Sequence, residues 1–133
     1  MKWVTEEQAE RAAKRGLLAA VRCSKKHWWQ ARKASEEELT DAYDKDEFSV
    51  YYDRCALCEY RSFHPNEPCP LIGAICKTTN CCKEWWAAET SFLLCIREYP
   101  NSKAHQVFQI CAGLMYDKLA SIEKKIMAKK EHL

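Results

Sequence analysis

Apolar and polar positions follow a helical period over most of this chain. Across residues 6–34, Ala9, Ala13, Leu17, Ala20, Val21, Ser24, Trp28 and Ala31 fall on one side of a helical wheel. Arg11, Lys14, Arg15, Arg22, Lys25, Lys26, Arg32 and Lys33 fall on the other. The two faces hold their phase through Gly16, which predicts one long helix. A break near Cys23-Ser24, with Ser24 as a new N-cap, is the alternative. Thr5-Glu6-Glu7-Gln8 is a capping box that opens the helix near Glu6. Ser35-Glu36-Glu37-Glu38 is a second one. It predicts a short helix with Leu39, Ala42 and Tyr43 inward, ending near Asp44.

The period then fails. Phe48-Ser49-Val50-Tyr51-Tyr52 is aromatic and β-branched and reads as a short extended lead-in. Periodicity returns at the cysteine pair Cys81-Cys82, where Thr79 or Asn80 can cap a helix. Cys82, Trp85, Trp86, Phe92, Leu93 and Ile96 share its face. Tyr99-Pro100 stops it, because the residue before proline is pushed out of the α region. Ser102 can cap a last helix with Val107, Ile110, Cys111, Leu114, Met115, Leu119, Ile122 and Ile126 as a wide apolar face. That helix extends to about Lys130, roughly 40 Å at 1.5 Å per residue.

The expected architecture is all-α, with about five helices around an irregular cysteine-rich stretch. A chain of 133 residues argues for one domain. Within it, residues 1–45 form N-terminal helices, 46–82 a metal-binding stretch and 83–133 a helical pair. Only three glycines and four prolines agree with mostly helix, and five tryptophans supply a core.

Charge adds a second pattern. Residues 1–34 carry nine bases and three acids, whereas residues 35–60 carry nine acids and two bases. The rest of the chain balances up to residue 101 and is basic beyond it, so the net charge is only +2. From Arg11 to Ala34 there is no acid at all. Trp29 lies near the middle of that basic stripe. Such asymmetry implies a solvated helix face, a partner-facing surface, or internal pairing with the acidic block of Glu36 to Glu59. A partner surface would use Arg22, Lys25, Lys26, Trp29, Arg32 and Lys33. Trp29 and the arginines suit a protein hot spot. Bases with an aromatic that stacks also suit nucleic acid.

The candidate chemistry sits in the aperiodic stretch. Cys55-Ala-Leu-Cys58, Cys69-Pro70, Cys76 and Cys81-Cys82 hold six of the nine cysteines. A Cys-x-x-Cys unit aims two thiolates at one metal ion, and a second cluster completes a tetrahedral shell. The expected ligands are Cys55, Cys58, Cys69 and Cys82, the last favoured because a thiolate in a helix's first turn gains from the dipole. Cys81, Cys76 and His64 are alternatives for the fourth position. Cys23, Cys95 and Cys111 read as small buried residues. Zinc is the default for this spacing, and an iron–sulfur cluster is the alternative. The chain shows no secretory pattern behind Lys2-Trp3-Val4 and no apolar run of about 20 residues, so a cytoplasmic, membrane-free protein is expected. There, clustered cysteines read as metal sites more than disulfides.

The order His27-Trp28, Cys55-Ala-Leu-Cys58, Cys69-Pro70-Leu71 and then Cys82 before Trp85 and Trp86 resembles a loose group of small, functionally uncharacterised cysteine-rich phage and prokaryotic proteins. The resemblance covers roughly residues 20–90. It implies a metal-bound helical domain and a phage or prokaryotic setting, the host cytoplasm if phage-encoded, and brings no catalytic residues. Where the group usually has a cysteine three residues before Cys69, this chain has Asn66, which Cys76 or Cys81 could offset.

Enzyme signatures are weak. His27, His64, His105 and His132 are scattered, there is no glycine-rich phosphate loop, and Cys55-x-x-Cys58 lacks the βαβ frame of a thiol redox enzyme. The expected function is a non-enzymatic, zinc-stabilised helical binding protein acting on a protein partner. In the implied phage setting it would inhibit a host defence complex, such as a CRISPR effector. Nucleic-acid binding by the basic helix and a thiol redox or iron–sulfur role are the other classes.

Overall fold

The structure is a computed structural model and describes residues 2–50, 55–73 and 81–131. Six α-helices make up the described chain: α1 (Glu6–Arg15), α2 (Leu17–Lys33), α3 (Glu36–Asp44), α4 (Ala56–Phe63), α5 (Lys83–Arg97) and α6 (Ser102–Glu131). The all-α expectation agrees with this. No helix among the described residues is long and apolar enough to cross a membrane.

Both capping boxes form. Thr5 accepts from the Gln8 amide while the Gln8 side chain accepts from Thr5, and Ser35 and Glu38 do the same for α3. The expected single N-terminal helix does not form. It breaks at Gly16, whose φ of 132° and ψ of 177° are accessible essentially to glycine alone. Phase continuity on the wheel hid this break, because a one-residue interruption leaves the apolar stripe nearly aligned. α1 leaves the line of α2 there and packs on both α2 and α4.

The second difference is α4. Cys55 stands at its N-cap and Cys58 in its first turn, within a stretch expected to be irregular. Ala56 and Leu57 are fully buried and seat the helix against α1 and α2. The third is at the start of α5, whose N-cap is Cys82, with Thr79 and Asn80 lying outside the described residues. The last helix is capped by Asn101, not Ser102: the Asn101 side chain accepts from the amides of Lys103 and Ala104, each at 3.1 Å.

The two helical halves share one core. α2 runs antiparallel along α6, from His105 bonded to the Ala34 carbonyl at one end to Glu123 against Arg22 at the other. α5 folds back on α6 as a hairpin through Tyr99-Pro100. Gly113 of α6 faces the Arg32 side chain of α2, which a Cβ there would meet in ordinary contact at 3.5 Å. On α5 and α6 the buried stripe differs from expectation. Phe92, Cys95, Phe108, Ala112, Met115 and Leu119 are buried, whereas Trp86, Val107, Ile110 and Leu114 are exposed. The wide apolar face of α6 is therefore only partly used by α2 and α5.

Phe48, expected in an extended lead-in, instead plugs the centre. It stacks on His27 at 4.9 Å and on Phe92 at 5.3 Å, and Trp3 packs against it at 5.0 Å. Tyr51 and Tyr52 lie outside the described residues. Phe48→Ala should lower unfolding stability by about 3–5 kcal/mol, measured by urea denaturation. Gly16→Ala meets no side chain within 4 Å, so its cost of about 1–3 kcal/mol should come from backbone strain alone.

Candidate metal centre and partner-facing helix

α4 presents the first two thiols. With Cys55 at the N-cap and Cys58 three residues on, both side chains stand at the end of the helix where amides point outward without intrahelical partners. The Cys58 thiol hydrogen-bonds Cys55 and holds it down to about 7, against the pull of burial. The same bond, burial and the neighbouring negative charge push Cys58 up.

α2 supports the Cys55 sulfur from behind. Ser24 is 1% exposed and sits 3.7 Å from Cys55 Sγ. Its oxygen also accepts the Leu57 amide at 3.1 Å. In the contact with Cys55 either group can donate, since the hydroxyl keeps one acceptor site and its own proton.

Cys69 opens a tight turn. Its carbonyl accepts the amides of Ile72 at 3.1 Å and Gly73 at 2.7 Å, and Gly73 sits in the left-handed region at φ 68°. Leu71 plugs the turn into the core. A small cleft lined by Leu57, Tyr60, His64, Cys69 and Pro70 joins the turn to α4. His64 stacks on Tyr60 at 4.2 Å and lies 3.7 Å from Glu67, at an exposed helix end.

Cys81 and Cys82 differ in burial. Cys82 is 6% exposed, and its sulfur contacts Met115 Sδ at 3.8 Å inside the core. A hydrogen bond from Cys81, at 4.0 Å, holds Cys82 down to about 7, and beyond that neighbour the charges acting on it are Lys118 and Glu84. Cys81 is half-exposed and pushed up by that same bond and by burial, with Cys55 among the charges acting on it. Cys58 is acted on by Cys55, Cys81 and Cys69, in that order. Cys82 packs on the core with the Cys81 sulfur 4.0 Å from its own. Cys76 and His132 lie outside the described residues. Cys23, Cys55, Cys58, Cys81, Cys82, Cys95 and Cys111 carry free thiols. Cys95 is fully buried, while Cys23 and Cys111 are half-buried. Among the described residues, no three His, Cys, Asp or Glu side chains are drawn together tightly enough to hold a metal ion.

The basic stripe divides. Trp28 is 2% exposed and belongs to the core, whereas Trp29 is 44% exposed on the opposite side of α2. Lys26, Arg32 and Lys33 are exposed around it. Arg22 and Lys25 meet Glu123 of α6 at 2.8 and 2.6 Å. Lys25 also lies over the Tyr116 ring. The acid that neutralises these two bases comes from α6, not from the acidic block. Members of that block serve elsewhere: Glu38 in the α3 cap, Asp41 with Lys45, and Glu36 as acceptor of the Asn101 amide.

Two contributors were missed in the sequence. Ser24 had a visible signal, a lone hydroxyl in an apolar stripe. Glu123 had none, because its partners lie about a hundred residues away. Compared with known proteins, the chain matches no family model, no curated protein and no solved structure.

Hydrogen bonds from Lys25, then Arg22, hold the Glu123 carboxyl below its usual 4.5. A depressed carboxylate adds stability that is present above its unfolded pKa and lost as pH falls through the folded one. Glu123→Gln should therefore cost about 1–2 kcal/mol at pH 7 and flatten the loss of stability below about pH 4.5, read from urea curves across pH.

Proposed function

We propose that the protein is a non-enzymatic, zinc-stapled helical binding protein whose partner face is the outer side of α2. The observation that carries this reading is the contrast between two adjacent tryptophans. Folding accounts for Trp28. It does not account for Trp29, a large aromatic left 44% exposed among Lys26, Arg32 and Lys33. A rigid aromatic ringed by Arg and Lys is hot-spot chemistry, suited to an acidic protein surface.

Zinc supports the scaffold in this reading. Four thiolates close the coordination shell and leave no open position for a substrate, which fits a structural role. The resemblance to phage proteins supports a host protein complex as the partner, with inhibition of a defence complex such as a CRISPR effector as the consequence. The same face offers phosphate contacts, so nucleic acid is the second reading. Exposed bases beside an aromatic favour it, and the internal pairing of Arg22 and Lys25 with Glu123 weakens it.

The test uses the wild-type chain and Trp29→Ala as paired baits in host lysate, followed by titration of the captured partner. Trp29→Ala should leave the melting temperature nearly unchanged and weaken binding by about 2 kcal/mol or more, roughly thirtyfold. Trp28→Ala should cost about 3–5 kcal/mol of folding stability. Equal destabilisation by both changes would place Trp29 in the core and remove the face. Capture that nuclease abolishes, with steep salt dependence, would turn the assignment to nucleic acid.

A further inference from the structure

We propose that the outer side of the α5–α6 hairpin is a self-association surface, on which a second copy of this chain packs antiparallel about Ile110. This surface is separate from the cysteine stretch and from the Trp29 face of α2.

α6 has three sides. His105 and Glu123 mark the side against α2. Phe108, Met115 and Lys118 mark the side against α5, through Phe92, Cys82 and Glu84. Val107, Ile110 and Leu114 fall on the third side and are exposed. Ile110 is 66% exposed, the highest value for a large apolar side chain among the described residues. Aliphatic side chains left in water gain the folded monomer little, and a run of them on one side marks a contact surface.

α5 widens the patch. Its register on α6 is set by Phe92 against Phe108 and Glu84 against Lys118. That register brings Leu94 level with Val107 and Ala87 level with Leu114. Leu94 and Ala87 are both exposed and fall within about 80° of Glu84 on the α5 wheel, hence on its α6 edge.

The charges at the two ends of the stripe identify what covers it. Lys103, Val107, Ile110, Leu114 and Asp117 follow one another at four, three, four and three residues. That is the spacing of a coiled-coil seam, and the five positions fall within about 80° on the wheel. The base stands seven residues before Ile110 and the acid seven residues after it, both exposed. A two-fold axis at Ile110 therefore sets Lys103 of each copy level with Asp117 of the other, about 10 Å either side of the axis. Val107 comes level with the Gly113-Leu114 step of the second copy, and Leu94 with Ala87, large against small. Parallel pairing would instead oppose Lys103 to Lys103 and Asp117 to Asp117, which repel. The seam is complementary to its own reverse, as an isologous two-fold contact requires. Its four aliphatic side chains present on the order of a few hundred Å², less than the roughly 800 Å² per partner of a standard interface, so the dimer should be weak.

The test is sedimentation velocity of the full-length protein under reductant and at low salt, from about 1 μM to about 1 mM. Wild type should pass from the 15.5 kDa chain to twice that mass as concentration rises. Ile110→Asp should weaken association by about thirtyfold or more while leaving the melting temperature nearly unchanged, because the side chain is exposed. Lys103→Asp and Asp117→Lys should each weaken the dimer by about fivefold, and the two exchanges together should restore it to within about twofold. Trp29→Ala should leave the dimer intact, so this face and the proposed partner face of α2 stand or fall separately. Exchanges that weaken the dimer without mutual rescue would overturn the antiparallel arrangement. A dimer that survives Ile110→Asp, or is lost in Trp29→Ala, would overturn this face as the contact. A wild type that stays monomeric throughout would overturn the second copy as occupant and leave the stripe to a different protein.

Discussion

A column of rings holds this molecule together, and Phe48 is its middle member. His27 of α2 stacks on one face of it and Phe92 of α5 on the other. Phe92 in turn meets Phe108 of α6 edge-on at 5.4 Å, and Tyr43 of α3 at 5.6 Å. Trp28 meets His27 edge-on at the other end, and Trp3 packs against Phe48 itself. Offset and edge-on pairs at these spacings add about 0.5–1.5 kcal/mol each beyond the area they bury. Every helix except α1 and α4 places a ring in it. The N-terminal and C-terminal halves are therefore fastened by side chains, without any need of the cysteine stretch between them.

That constraint explains why α1 and α4 form a separate layer. α1 brings alanines, Ala9, Ala12 and Ala13, and α4 brings Ala56 and Leu57. Small residues allow close approach but bury little area, so this layer gains less from burial than the aromatic side does. Its polar bonds are correspondingly specific. Gln30 accepts the Val4 amide ahead of α1, and Ser24 accepts the Leu57 amide of α4. The proposed zinc would sit at the start of α4, where apolar burial is thinnest. That is the place where a staple adds most to a small domain.

How much of this was legible follows from which residues act locally. Caps are local, and Thr5 with Gln8 and Ser35 with Glu38 were readable because both partners lie within four residues. The Trp28 and Trp29 assignments were readable because a wheel needs only spacing. Gly16 was misread for the same reason: a wheel averages over a break that preserves phase. Phe48 was misread because its partners His27, Phe92 and Trp3 come from distant elements, and nothing in residues 45–52 says that one ring turns inward. The different burial of two adjacent thiols lay beyond spacing arguments altogether. Cys81 and Cys82 are adjacent in sequence, and only the position of Met115 separates their fates.

Helix α2 joins these separate matters. Its inner face supplies His27 and Trp28 to the ring column, its flank supplies Ser24 to the Cys55 sulfur, and its outer face carries Trp29. Two surfaces of one helix are thus bound to different neighbours, and a helix so held loses little freedom when a partner engages its third, outer face. An exposed tryptophan on a mobile segment would have to be ordered on binding, at about 0.5–1.5 kcal/mol for each rotamer-rich side chain immobilised together with it. Trp29 stands on backbone already fixed by the core, by Arg22 and Lys25 on Glu123, and by the Ser24 bridge to α4. The proposed zinc contributes to the proposed binding face through that bridge, by holding the α4 end against which α2 is seated. Scaffold and surface are consequently one design, in which the core-facing residues of α2 set the rigidity that makes its outward aromatic useful.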